Sequence, residues 1–209
     1  MSNKKMLKIG LTGGIGSGKT VVAHMLQERG IPIINADRVA KEMMQNDPAI
    51  RNELVQAFGS EIYTPDGNLN RSKMAALIFS DPDARERVNA IVHPRVLQFQ
   101  ENEMQRLEKQ GTPIAGVEAA LIYEVGSEYQ FDVMVVVAAA QTTVVERLSK
   151  RDAMTKSEIQ NRMAAQMPIE EKMARADYVI ENDSTMNELK HQVDLFIEWL
   201  KMKREILGC

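Results

Sequence analysis

The run Gly13-Gly14-Ile15-Gly16-Ser17-Gly18-Lys19-Thr20 fits the pattern G-x-x-x-x-G-K-[ST]. Its chemistry is that of a phosphate-binding loop. Glycines let the backbone wrap tightly and turn successive N–H groups inward, toward phosphate oxygens. The helix that follows adds the positive end of its dipole. Lys19 is placed to reach the β- and γ-phosphates, and the Thr20 hydroxyl to hold Mg²⁺. Gly14 to Val21 are therefore the residues expected to contact the phosphates of a nucleotide. The pattern is meaningful because of its flanks: Leu7–Thr12 reads as a buried strand and Val21–Arg29 as a helix.

Phosphate binding is shared by switches, motors, transporters and kinases. A GTP switch needs Asp-x-x-Gly and Asn-Lys-x-Asp, and neither occurs in this chain. A motor or transporter ATPase would be longer. A small kinase fits better, and it needs a carboxylate near the loop, a substrate lobe and arginines on a lid. Asp37 ends the second predicted strand, where ligands of a parallel sheet gather; the simpler reading makes it the N-cap of a helix Arg38–Gln45. Arg147, Arg151 and Arg162 follow the fourth strand and could neutralise a transferring phosphoryl group. Arg151 is the first choice, and a solvated helix face is the plainer alternative.

The elements that must position these residues can be read from the apolar pattern. Strands are expected at Leu7–Thr12, Ile31–Asn35, Ile114–Ala119, Asp132–Ala138 and Tyr178–Glu181. Nearly uninterrupted apolar strands alternating with helices indicate a parallel sheet covered on both faces. Asp37–Leu107 reads as helical, with breaks at Asp47-Pro48, Gly59, Thr64–Asn68, Asp81-Pro82 and His93-Pro94. Such a block is too long for a simple crossover and suggests a lobe over the substrate. Thr142–Arg151 and Met154–Arg175, with Pro168 inside the latter, read as helical. A C-terminal helix is expected over Ser184–Ile206, capped by Asp183 or Ser184. The expected division is a core of about 1–37, 112–146 and 176–209, a lobe of about 38–111 and a lid of about 147–175.

Composition bounds the rest. The chain has 209 residues, 44% of them hydrophobic and 26% charged, enough for one α/β domain with insertions. A net charge of −3 argues against nucleic acid as a partner. The only cysteine, Cys209, excludes an internal disulfide and a cysteine zinc site. The start reads as no signal peptide and no run is long enough to span a membrane, so a cytoplasmic monomer or weak homo-oligomer is expected. The fourteen methionines read as packing. His24 and His191 read as ordinary surface or packing histidines, and Trp199 as packing or assembly.

Several stretches, in order, resemble the dephospho-coenzyme A kinase family across nearly the whole chain. They are IGLTGGIGSGKT, INADRVAKE, IVHPRV, VEAALIYE, RLSKRD and NRMAAQMPIEEKMARADYVIEND. Four positions depart from the family pattern. Asn35 replaces the first Asp of Asp-Ala-Asp, Val21 a second hydroxyl, Glu118 an aspartate and Ala120 a proline. The resemblance implies a P-loop nucleoside triphosphate hydrolase-like three-layer α/β/α fold, with a five-stranded parallel sheet of order 2-3-1-4-5, a helical substrate lobe and a lid. It implies transfer of the ATP γ-phosphoryl group to the 3′-hydroxyl of dephospho-coenzyme A, with Mg²⁺ on Thr20 and, through water, on Glu118. Asp37 would be the base, with Lys19 and Arg151 as the other catalytic residues and Arg147 and Arg151 on ATP. His93, Arg95, Leu121, Ile122, Tyr123, Glu124 and Arg162 would contact the acceptor. His93 could instead cap a helix opened by Pro94, and Leu121–Tyr123 could be plain core. Two rivals remain: another small P-loop nucleoside, nucleotide or metabolite kinase, and a P-loop protein that binds nucleotide without turnover.

Overall fold

A computed structural model describes residues 5–152 and 154–208, and Cys209 lies outside them. The described residues divide into two compact units, one of residues 5–35 with 106–152 and 154–208, the other of residues 36–105.

The first unit holds five parallel strands: β1 (Leu7–Gly13), β2 (Ile33–Asn35), β3 (Ile114–Glu118), β4 (Val133–Ala138) and β5 (Tyr178–Glu181). Their order is β2-β3-β1-β4-β5. Because side chains alternate across a sheet, Leu7, Ile9, Leu11, Val133, Val135 and Val137 face one side. There they pack with α1 (Lys19–Glu28) and α9 (Met186–Leu207) through Val22, Leu26, Val193, Phe196 and Leu200. Met134 and Val136 face the other side and pack with Ile122, Tyr123 and Met173 of α8 (Ile169–Arg175). Each fully buried aliphatic or aromatic side chain contributes about 1.5–3 kcal/mol. Trp199 is a packing residue, with its ring 5.1 Å from that of Tyr178 and 6.1 Å from that of Phe196.

Between β4 and β5 lie α6 (Gln141–Asp152), α7 (Lys156–Ala164) and α8. The expected single segment Met154–Arg175 is thus two helices. Pro168, at the N-cap of α8, cannot give an N–H to a helix arriving from its N-terminal side. Thr155 caps α7 in a capping box with Glu158. Thr185 caps α9, so the expected cap at Asp183 or Ser184 is corrected by one or two residues.

The second unit is helical. Asp37 is not the end of a strand and not an N-cap: α2 (Ala36–Asn46) begins one residue earlier, and Asp37 sits in its first turn. α3 (Pro48–Phe58) is capped by Asp47, whose side chain accepts from the Ala49 and Ile50 N–H groups, α4 (Arg71–Ser80) follows, and α5 (Pro82–Lys109) runs for 28 residues. The expected break at His93-Pro94 does not occur, because α5 continues through Pro94. An internal proline costs about 3 kcal/mol, but Ala84, Val88, Val92, Val96 and Met104 recur at multiples of four residues and are all buried. That burial outweighs the lost hydrogen bond. No described helix is long and apolar enough to cross a membrane.

Candidate active site

The central strand β1 delivers the loop Gly14–Gly18 to the N-terminus of α1. Two glycines, Gly13 at the end of β1 and Gly18 at the end of the loop, are required by space as well as conformation. A Cβ at Gly13 would lie 2.2 Å from the Val137 carbonyl oxygen, and one at Gly18, where φ is +95°, would lie 2.2 Å from Asn182 Nδ2. The loop closes on itself through Ser17 N–H to the Gly14 carbonyl at 3.3 Å. Lys19 Nζ donates to the same carbonyl at 3.0 Å, folded over the loop it serves. Val21 is exposed on α1.

Beside the loop is a carboxylate held by two donors. The Thr20 hydroxyl donates to Glu118 Oε1 at 2.6 Å, and Asn35 Nδ2 donates to Glu118 Oε2 at 2.6 Å. Glu118 is 4% exposed. The three side chains come from three elements, α1, β2 and β3, with β2 and β3 paired in parallel; Thr20 and Glu118 contribute oxygens and Asn35 an amide N–H. Hydroxyl and carboxylate oxygens are the hard donors that Mg²⁺ takes, so the donor set fits that ion. Among the described residues, no group of three or more His, Cys, Asp or Glu is placed to hold a metal.

The remaining expected residues fall into different settings. Arg147 Nη2 donates to Asn182 Oδ1 at 3.3 Å, and Asn182 Nδ2 donates to the Ser17 carbonyl at 2.8 Å, which ties α6 to the loop. Arg151 instead forms a two-pronged pair with Asp152, at 2.9 and 2.8 Å, and that guanidinium holds the Asp152 carboxyl below its usual range. Arg162 lies on α7, and its charge acts on Asp152 and Glu158. Leu121 is exposed, whereas Ile122 and Tyr123 belong to the core. Burial raises the Tyr123 phenol, opposed by Arg175, whose guanidinium stands 4.5 Å over the ring. Glu124 accepts from Lys172 Nζ at 2.8 Å and from Met167 N–H at 2.9 Å.

In the second unit, His93 is exposed on α5 and Asp37 is exposed on α2. Since Pro94 lies inside α5, His93 caps no helix. Arg95 Nη2 pairs with Glu53 Oε1 at 2.6 Å, and this hydrogen bond raises the arginine further above its already high range. Four polar residues that sequence reasoning passed over are Lys172, Gln166, Asn182 and Glu53. Gln166, Lys172 and Asn182 lie in the quoted stretch NRMAAQMPIEEKMARADYVIEND, which assigns none of them a partner, and Glu53 lies in a helix with no spacing signal.

A parallel sheet of order 2-3-1-4-5, with a G-x-x-x-x-G-K-T loop after its central strand, defines a nucleotide-binding protein of the P-loop kinase class. The family is more particular than the class. The family model described as Dephospho-CoA kinase matches residues 7–188, and the chain belongs to that family. The Dephospho-CoA kinase of Anaeromyxobacter dehalogenans (strain 2CP-C) is 41% identical over 196 residues, covering 94% of this chain and 93% of that one. The Dephospho-CoA kinase of Geobacter sulfurreducens is 40% identical over 186 residues, covering 89% and 94%. The crystal structure of TT1252 from Thermus thermophilus superposes with a TM-score of 0.80 at 34% identity, over 94% of this chain and 99% of that one.

Proposed function

We propose that this chain transfers the γ-phosphoryl group of ATP to the 3′-hydroxyl of dephospho-coenzyme A, giving coenzyme A and ADP. The family match over residues 7–188 carries the reading, and the loop gives it a chemistry. Phosphoryl transfer asks the protein mainly for positioning and for charge stabilisation. The loop amides and Lys19 would hold the phosphates. Thr20 and Glu118 would hold Mg²⁺, which when bound supplies positive charge to the phosphate oxygens. Asp37 would accept or align the proton of the attacking hydroxyl; it follows by two residues Asn35, which bonds Glu118. Arg147 and Arg151 would face ATP. His93 and Arg95 would serve the acceptor, along with Leu121–Glu124 and Arg162. Residues 38–111 would form the acceptor lobe and 147–175 the lid. The single cysteine suits a reducing cytoplasm.

The test is ADP release with Mg²⁺-ATP and, in parallel, dephospho-coenzyme A, adenosine and AMP as acceptors. Dephospho-coenzyme A should be turned over far better than the other two. Equal or better turnover of AMP would move the chain to another small nucleotide kinase, and turnover of none would leave a binding protein.

A further inference from the structure

Lys172 is fully buried, a rare state for a lysine. Its Nζ donates to the Ala120 carbonyl at 2.9 Å and lies 2.8 Å from Glu124 Oε1. The Glu124 side chain is itself only 18% exposed. The same Glu124 oxygen accepts the Met167 N–H at 2.9 Å, in the linker between α7 and α8. The residue before Met167 is Gln166, whose Oε1 accepts the Ile15 N–H of the phosphate-binding loop at 2.9 Å. A second arm reaches the base of the loop, because the Ala120 carbonyl also accepts from the Thr12 hydroxyl at 3.2 Å.

We propose that Lys172 is a positioning residue which, through Glu124 and Gln166, holds the phosphate-binding loop in its nucleotide-ready form. The physical reason is the cost of leaving buried groups unpaired. A buried ammonium needs a carboxylate. The pair fixes where Glu124 stands, Glu124 fixes the Met167 backbone, and Gln166 is thereby carried to the one loop amide it serves. A loop ordered beforehand loses less conformational freedom when phosphate arrives. Lys172 itself touches no loop residue in this chain of contacts. This inference deepens the nucleotide-binding reading and rests on it.

Three variants test it: Gln166→Met, which keeps the length and removes the amide with its acceptor; Lys172→Met, which keeps most of the length and removes the charge; and the two together. Two quantities are read: the dissociation constant for a non-hydrolysable ATP analogue with Mg²⁺, and hydrogen exchange at the Ile15 amide in the unliganded protein. Gln166→Met should speed Ile15 exchange and weaken analogue binding by roughly five- to tenfold, the scale of one hydrogen bond. Lys172→Met should do the same, and the double variant should be no weaker than the worse single one. Three results would overturn the relay: penalties that multiply in the double variant, tighter analogue binding, or a Lys172→Met protein that melts earlier but keeps parental Ile15 exchange and binding. If Lys172→Met does not fold, Lys172→Met with Glu124→Gln removes the stranded carboxylate charge and the same readings apply. The exchange reading needs no nucleotide. Failure of the unaltered protein to bind the analogue would therefore remove the nucleotide reading, while unchanged Ile15 exchange in the variants would remove the relay.

Discussion

A ribose hydroxyl attacks well only when its proton has somewhere to go. Asp37 is the carboxylate proposed for that task, and its two possible jobs separate cleanly. In the first turn of α2 its charge complements the helix dipole, worth about 0.3–1 kcal/mol. As a positioned base it would be worth roughly 10²- to 10⁴-fold in rate. Asp37→Asn keeps size and hydrogen bonding but loses charge. It should cut turnover of dephospho-coenzyme A by about that factor, with ATP affinity nearly unchanged and stability lowered by no more than about 1 kcal/mol. Steady-state kinetics and thermal unfolding on the same preparation measure both. A variant turning over within a few-fold of its parent would leave Asp37 only its place in the helix.

At the scale of elements, strand register decides who meets whom. Asn35, the last residue of β2, stands opposite Glu118, the last of β3, and the amide bridges to the carboxylate. That pairing makes sense of two departures from the family pattern at once: an amide and a carboxylate bond directly, where two carboxylates would share a proton or a cation. Asn35→Asp should therefore leave the metal-free protein less stable at neutral pH. Two carboxylates at hydrogen-bond distance cannot both ionise, so the pair's folded pKa rises above the unfolded value. Stability tied to a raised pKa is present below the unfolded pKa and lost as pH rises through the folded one. The melting-temperature gap between variant and parent, measured with a chelator, should narrow from pH 7.5 to pH 5; a gap independent of pH would refute the carboxylate clash. The elements themselves were largely legible. Buried parallel strands are uninterrupted apolar runs, and eight residues of the loop carry their own meaning. What was not legible depends on packing. Pro94 looks like a break until the buried row around it is known. Lys172, within IEEKMAR, looks like a solvated lysine until β3's continuation covers it. The stretch that holds Gln166 and Asn182 resembles the family, but it points to no partner for either, because the partners of Asn182 and Gln166 lie 165 and 151 residues away.

At the scale of the whole molecule, the proposed division of labour assigns ATP to the sheet unit and gives the helical one acceptor contacts through Asp37, His93 and Arg95. Each unit has its own interior. The sheet unit is built on β1, α1 and α9, and the helical unit includes Ile50, Leu54, Ile62 and Met74 among its buried residues. Local openings within each can therefore respond to their own ligand. A ligand that binds only the folded form stabilises it by about 2.7 kcal/mol at a hundredfold excess over its dissociation constant, which slows exchange of the amides it orders about a hundredfold. With a non-hydrolysable ATP analogue and Mg²⁺, protection should rise over residues 13–22 and at the 166–167 linker. With dephospho-coenzyme A alone it should rise within residues 36–105, foremost near Asp37, His93 and Arg95. Hydrogen exchange read by mass spectrometry resolves both regions in one experiment. Acceptor protection confined to residues 106–209 would strip the helical unit of its proposed role and move the acceptor site to the 121–124 turn and the α6–α8 segment.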